Sequence, residues 1–109
     1  MNWIQLNSLQ QLDEIRQKSK DKPQVIFKHS TRCSVSSMAK NRLERKEFPK
    51  EADFYYLDLI ANRNISLQIE EVFKVYHESP QVLVIKSGEC IYDESHSGIN
   101  MEEIKEQVL

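Results

Sequence analysis

The stretch that decides the fold runs from Gln24 to Ala39 and reads QVIFKHSTRCSVSSMA. It opens with β-branched and aromatic residues, Gln24–Lys28, a composition typical of a buried strand. A polar loop without glycine follows and contains Cys33. Apolar residues then recur at helical spacing, which predicts a helix from about Ser34 to Glu47. The segment therefore predicts a strand, a loop and a helix, with a thiol where the helix begins.

Patterns on both sides of this segment predict the remaining elements. They are a helix opened by Asn7–Ser8 and ended before Pro23, a strand at Asp53–Asp58, a helix capped by Asn62 or Asn64, a central strand at Val82–Ile85, a turn at Ser87–Gly88, an edge strand at Cys90–Tyr92 and a short helix capped by Asn100. The order is α-β-α-β-α-β-β-α. A β-α-β unit requires a right-handed parallel crossover, and the hairpin adds antiparallel strands. This is the layout of an α/β thioredoxin-like fold, with a four-stranded mixed β-sheet flanked by helices.

Length and composition exclude several classes of protein. The 109 residues allow a single domain, 1–109, and 39% hydrophobic with 29% charged residues is an ordinary globular balance. A net charge of -2 argues against a nucleic-acid-binding surface, and no apolar run reaches the roughly 18 residues of a membrane span. The first residues, Met1–Leu6, lack a basic and a long apolar stretch, so we expect no export signal. With only two cysteines, the expected location is the reducing cytoplasm.

Cys33 is the candidate nucleophile because it lies at the predicted start of a helix. The first N–H groups of a helix have no internal partner and carry roughly half a positive charge, so they favour a thiolate over a thiol. Arg32 is adjacent, and Lys28 and His29 are expected to act in the same direction if they face the sulfur. Ser36 is expected to donate a hydrogen bond to the sulfur. The alternative is an inert, buried cysteine, and the polar neighbours of Cys33 argue against it.

The other cysteine and the histidines show no comparable pattern. Cys90 falls in the predicted edge strand and is expected to be a half-buried strand residue, not a resolving thiol. His29 and Cys33 are four residues apart, but His29 ends a strand, and His77 and His96 have no regular spacing to either residue. We therefore expect no metal site.

Two segments resemble the signatures of one family. Phe27–Ala39, FKHSTRCSVSSMA, resembles the active-site segment of the YtxJ-type monothiol bacilliredoxins, and His77–Ile85, HESPQVLVI, resembles their second signature. The likeness extends from about Trp3 to the C-terminus. It implies a thioredoxin fold that handles bacillithiol, a low-molecular-weight thiol of certain bacteria. Members of this family are often grouped with general stress proteins.

The resemblance also assigns roles to individual residues. The family motif is a single cysteine followed three residues later by serine, and Cys33 and Ser36 match it. Its commonest form has proline directly after the cysteine, where this chain has Ser34. That difference leaves the nucleophile and the single-thiol mechanism unchanged, but it alters the surroundings of the thiolate. Thr31 and Arg32 complete the implied active-site environment.

The implied reaction is monothiol thiol-disulfide exchange, through Cys33, on mixed disulfides between proteins and bacillithiol. Ser79–Pro80 is then the cis-proline loop on the substrate side. Bacillithiol is the expected co-substrate, no cofactor is bound, and the partners are bacillithiolated client proteins and a low-molecular-weight thiol, with neither nucleic acid nor membrane. Two alternatives stay open, an iron-sulfur carrier of the monothiol glutaredoxin type and a non-catalytic thioredoxin-like interaction module. Iron-sulfur carriers usually have glycine where this chain has Ser34, and the sequence leaves the oligomeric state open.

Overall fold

The computed structural model describes residues 3–109 and contains the predicted alternation of elements. They are β1 (Trp3–Gln5), α1 (Gln10–Lys18), β2 (Gln24–His29), α2 (Ser34–Glu44), β3 (Asp53–Asp58), α3 (Arg63–Phe73), β4 (Gln81–Lys86), β5 (Glu89–Ser95), a 3-10 turn (His96–Gly98) and α4 (Met101–Val108). Helix α2 ends at Glu44, before the predicted Glu47, because the chain turns there to bury Phe48 in the core. Within residues 3–109, no helix is long and apolar enough to cross a membrane.

The sheet has five strands in the order β1-β3-β2-β4-β5, and the central strand β2 pairs parallel with β3 and antiparallel with β4. The thioredoxin-like layout is confirmed, but the prediction of four strands was wrong by one. The additional strand β1 lies parallel to β3 at the sheet edge. Three residues are too few to show a period-2 pattern. The Trp3 side chain holds this strand in place, because its ring stacks on Phe27 at 5.6 Å and its Nε1 donates to Glu44 Oε2 at 2.7 Å.

Strand β2 sends alternate side chains to two separate cores. Val25 and Phe27 pack with apolar residues of α2 and α4. Ile26 packs on the other face, with apolar residues of α1 and α3. Because successive strand residues point to opposite faces, Lys28 lies on the α3 side and His29 on the α2 side. This alternation determines which polar side chains lie on the same face of the sheet as α2, where Cys33 is.

Candidate active site

Cys33 occupies the N-cap position of α2, with extended backbone (φ −111°, ψ 120°). The first hydrogen bond of the helix runs from the Ser37 N–H to the Cys33 carbonyl at 3.1 Å. The N–H groups of the three residues between them therefore lack an intrahelical acceptor. The Cys33 side chain is half-buried, so its sulfur is neither sealed in the core nor fully solvated. Cys33 therefore lies at the positive end of the α2 dipole, next to the free N–H groups of the first turn.

Ser36 supports the loop that carries Cys33. Its side chain is fully buried, and its Oγ accepts the Ser30 N–H at 3.0 Å and lies 2.8 Å from His29 Nδ1. The expected hydrogen bond from Ser36 to the Cys33 sulfur was wrong, because the hydroxyl faces the start of the loop. The proposed importance of Ser36 therefore lies in fixing the backbone between His29 and Cys33.

His29 is a buried, neutral partner of Ser36. Burial is the main cause that lowers the pKa of His29, and the nearby Lys40 charge adds to it. Its ring packs near the rings of Phe27 and Tyr56, with centroids 5.8 Å and 5.4 Å away. The expected contribution of a His29 charge to the sulfur is therefore absent at neutral pH.

Lys28 faces away from Cys33, so the condition for its contribution to the sulfur is not met. Its side chain is fully buried on the α3 side, with Nζ 2.6 Å from His77 Nδ1 and 3.1 Å from Gln81 Oε1. Burial lowers the pKa of Lys28 to about 8. No individual role was predicted for His77 or Gln81. The available signal was a lysine inside an otherwise apolar strand, which indicates a buried polar partner.

The exposed part of the active-site loop consists of Thr31, Arg32 and Ser34. All three are close neighbours of Cys33 in the sequence, and their exposed side chains form the rim of the site. No side-chain hydrogen bond or ion pair within residues 3–109 holds them against the protein. Their assignment to the environment of the thiol stays a prediction.

The loop at Ser79–Pro80 lies at the same end of the sheet as Cys33. Its peptide bond is cis, as the resemblance implied. Lys28 is paired with Gln81 across the antiparallel strands, so extending that register by one residue places Pro80 level with His29. Ser79 Oγ is buried and has no hydrogen-bond partner within the described part of the chain, residues 3–109. The structure therefore brings the two predicted site segments together.

Cys90 lies at the opposite end of the sheet. It pairs with Ile85, which in turn lies opposite Gln24, the first residue of β2. Cys33 follows the last residue of β2, so the two cysteines are separated by about 16 Å along the strand, at roughly 3.3 Å per residue. A disulfide needs Cα atoms within about 7 Å. Burial also raises the pKa of the Cys90 thiol to about 11, so it is a poor nucleophile.

The histidines are engaged in separate contacts. His29 contacts Ser36, His77 contacts Lys28, and His96 Nε2 lies 3.7 Å from Glu78 Oε1. Across residues 3–109 there is no group of three His, Cys, Asp or Glu side chains arranged to hold a metal ion.

Replacing Ser36 with alanine is expected to lower the free energy of unfolding by about 1–2 kcal/mol, because the Ser30 N–H loses its acceptor in a partly buried loop. Urea denaturation followed by circular dichroism measures the change. Ser37→Ala is the matched control, since the neighbouring hydroxyl makes no side-chain hydrogen bond within residues 3–109, and its expected change is below about 0.5 kcal/mol. Equal losses in the two variants would contradict the role given to Ser36.

Solved structures share this fold over nearly the whole chain. A structure described as an oxidoreductase with a thioredoxin fold is 28% identical and superposes with a TM-score of 0.84, covering 96% of this chain and 92% of that one. Thioredoxin from Trypanosoma brucei brucei is 19% identical with a TM-score of 0.76, covering 96% and 88%. Fasciola hepatica thioredoxin is 20% identical with a TM-score of 0.71, covering 94% and 93%. At these lower identities, the two thioredoxins support the fold alone.

The sequence itself matches a family profile described as monothiol bacilliredoxin BrxC over residues 4–104. That range contains Cys33, Ser36 and the Ser79–Pro80 loop, which are the elements that the structure places at one end of the sheet. Family and fold together support a thiol redox role. The chain belongs to the monothiol bacilliredoxin BrxC family.

Proposed function

We propose that this protein is a monothiol thiol-disulfide oxidoreductase that removes bacillithiol from client proteins, with Cys33 as the nucleophile. The observation that carries the proposal is the contrast between the two cysteines. Both side chains are half-buried, but Cys33 lies at a helix N-cap at the same end of the sheet as the cis-proline loop, whereas Cys90 lies on the edge strand β5 about 16 Å away along the sheet. A single exchanging thiol therefore fits the geometry, and family membership supports bacillithiol as its co-substrate.

The proposed reaction has two exchange steps. In the first, the Cys33 thiolate attacks the bacillithiol sulfur of the client's mixed disulfide. The old S–S bond breaks, a Cys33–bacillithiol S–S bond forms, and the client leaves as a thiolate that takes a proton from water. In the second step, the thiolate of a free bacillithiol attacks the adduct. Bacillithiol disulfide leaves and the Cys33 thiolate returns, so both steps balance without a bound cofactor.

The residues around Cys33 take distinct parts in this proposal. Thr31, Arg32 and Ser34 form the exposed rim over which the client approaches, and Arg32 contributes a positive charge. In this proposal the Ser79 backbone, next to the cis bond, pairs with an extended client segment. Because both cysteines are thiols, we place the protein in the reducing cytoplasm.

Intact-mass spectrometry of the reduced protein after incubation with bacillithiol disulfide tests the proposal. We expect one bacillithiol adduct on the wild type and on Cys90→Ala, and none on Cys33→Ala. The Cys90→Ala variant is the matched control because it removes the other thiol. An adduct that follows Cys90 would contradict the proposal, and the absence of any adduct would favour a non-catalytic interaction module.

A further inference from the structure

A cavity of about 410 Å³ lies beside α3, on the face of the sheet opposite Cys33's helix, and nothing in the exchange mechanism uses it. It is lined by Leu59, Arg63, Ser66, Leu67, Glu70 and His77. Two connections place it at the active-site end of the sheet. The Leu59 N–H donates to the His29 carbonyl at 3.0 Å, and His77 lies two residues before the Ser79–Pro80 loop.

The cavity presents a fixed donor on His77. An ammonium group has no lone pair, so the 2.6 Å contact between Lys28 Nζ and His77 Nδ1 requires Nδ1 to accept. The neutral imidazole then carries its proton on Nε2. Burial, and after it the Lys28 charge, lower the pKa of His77, which keeps the ring neutral at pH 7. Ser66 Oγ lies 3.3 Å from the same Nδ1 and adds a hydroxyl to this wall.

Positive charge in this region lacks a direct partner. Lys28 is fully buried, and within residues 3–109 no carboxylate lies within 4.0 Å of its Nζ. Buried charges are normally paired, so this arrangement favours an anion nearby. Arg63, the first residue of α3 and exposed at the cavity, also forms no ion pair among the described residues. The Lys28 cation and the Arg63 guanidinium therefore both favour an anionic ligand.

The remaining lining residues narrow the class of ligand. Glu70 Oε2 accepts the backbone N–H of His77 at 2.7 Å, and among the described lining residues Glu70 is the one with an acidic side chain. It provides an acceptor for hydroxyl groups. Leu59 and Leu67 supply apolar walls, and Leu67 is 66% exposed. Donors, one acceptor and apolar walls together fit a sugar that carries a carboxylate.

We infer that this cavity binds the carboxylate-bearing sugar portion of the low-molecular-weight thiol, which in bacillithiol is a glucosamine linked to malate. This inference rests on the proposed function. Arg63 pairs with a malate carboxylate, and His77 Nε2–H and Ser66 donate to the ligand. These residues position the thiol for reaction with Cys33 and take no part in the exchange itself. An acidic side chain of the client offers the same carboxylate chemistry, so the experiment separates the two sources.

Arg63→Gln is expected to raise the KM for bacillithiol disulfide about fivefold and leave kcat unchanged, as for the loss of a partly exposed charged contact. The rate with hydroxyethyl disulfide, which has no carboxylate and no sugar, should stay the same. Arg45→Gln is the matched control, because Arg45 is exposed at the other end of α2 and forms no ion pair within the described chain. A loss with both disulfides, or with neither, would overturn the inference.

Two further measurements are needed. One distinguishes bacillithiol from an acidic client side chain as the source of the carboxylate, and the other tests the cavity independently of the proposed exchange reaction. Arg63→Gln should not slow the reduction of a mercaptoethanol mixed disulfide of an acidic peptide, and slowing confined to that substrate would assign the cavity to the client. Titration of the Cys33→Ala variant with N-acetylglucosaminyl malate needs no exchange chemistry. We expect NMR shifts centred on Ser66 and His77, and the same titration of Arg63→Gln should weaken them. Absence of these shifts would overturn the inference even if Cys33 exchanges bacillithiol, and their presence would support it even if Cys33 does not.

Discussion

Given a bacillithiolated client and no added thiol, each chain is expected to release about one client thiol and then stop. Cys33 keeps the bacillithiol after the first exchange because no second thiol can reach it. Cys90 is about 16 Å distant along the sheet, and Ser36 stands where a dithiol protein has its resolving cysteine. Adding free bacillithiol should restart the reaction and raise the yield per chain by more than about a hundredfold over many cycles.

Rapid quenching followed by quantification of free client thiol measures this stoichiometry. Cys90→Ala is the matched control and should give the same single release, because the distant Cys90 thiol takes no part. Free bacillithiol in the quenched mixture of the wild type but not of Cys90→Ala would show that Cys90 attacks the adduct and forms an internal disulfide. That result would contradict the monothiol cycle.

Replacing Lys28 with methionine is expected to change the pH dependence of stability by about 3 kcal/mol. Burial lowers the pKa of Lys28 from 10.5 to about 8, and Glu70 and Glu78 offset only part of that effect. Between these two values the unfolded chain holds the proton and the folded chain does not, so wild-type stability rises with pH in this window. Below pH 8 the buried ammonium destabilises the fold by the full amount. Lys28→Met should therefore be more stable at pH 7 and lack the rise.

Chemical denaturation of both proteins between pH 7 and pH 10.5 tests this expectation. Burial also raises the pKa of Cys90 from 9.0 to about 11, which lowers stability over part of the same range, but this contribution is common to both proteins and cancels in their difference. Lys86→Met is the matched control, because it removes the same charge from a partly exposed position of β4, and its curve should parallel the wild type. A parallel curve for Lys28→Met would contradict the account of a buried, unpaired ammonium.

The fold was largely predictable because its longer elements carry strong local patterns. The apolar run at Val82–Ile85 and the aromatic run at Asp53–Asp58 indicate strands without any knowledge of their partners. Strand β1 was missed because its three residues are defined by a distant contact. Trp3 packs on Phe27 and Phe48, and this packing, not a local pattern, brings the segment beside β3.

The candidate site was predictable in its position but not in its internal contacts. The thiol at the start of α2 and the cis bond at Ser79–Pro80 follow from local sequence and from the family resemblance. The direction of Lys28 follows from the register of β2, which places it on the α3 face, and sequence proximity to Cys33 gives no information on that point. Ser36 likewise meets His29 because α2 folds back over the end of the strand.

The distance between the two sulfurs also determines how the protein would respond to its thiol pool. A dithiol protein forms an internal disulfide, and at a given concentration of the oxidised thiol its ratio of oxidised to reduced form falls with the square of the reduced thiol concentration. With Cys90 out of reach, Cys33 can only exchange one molecule of bacillithiol disulfide for one of bacillithiol, under the proposed cycle. Its modified fraction then follows the plain ratio of oxidised to reduced bacillithiol. Diluting the whole pool at a fixed ratio leaves that equilibrium fraction unchanged, so the chain would report oxidation independently of how much bacillithiol the cell makes.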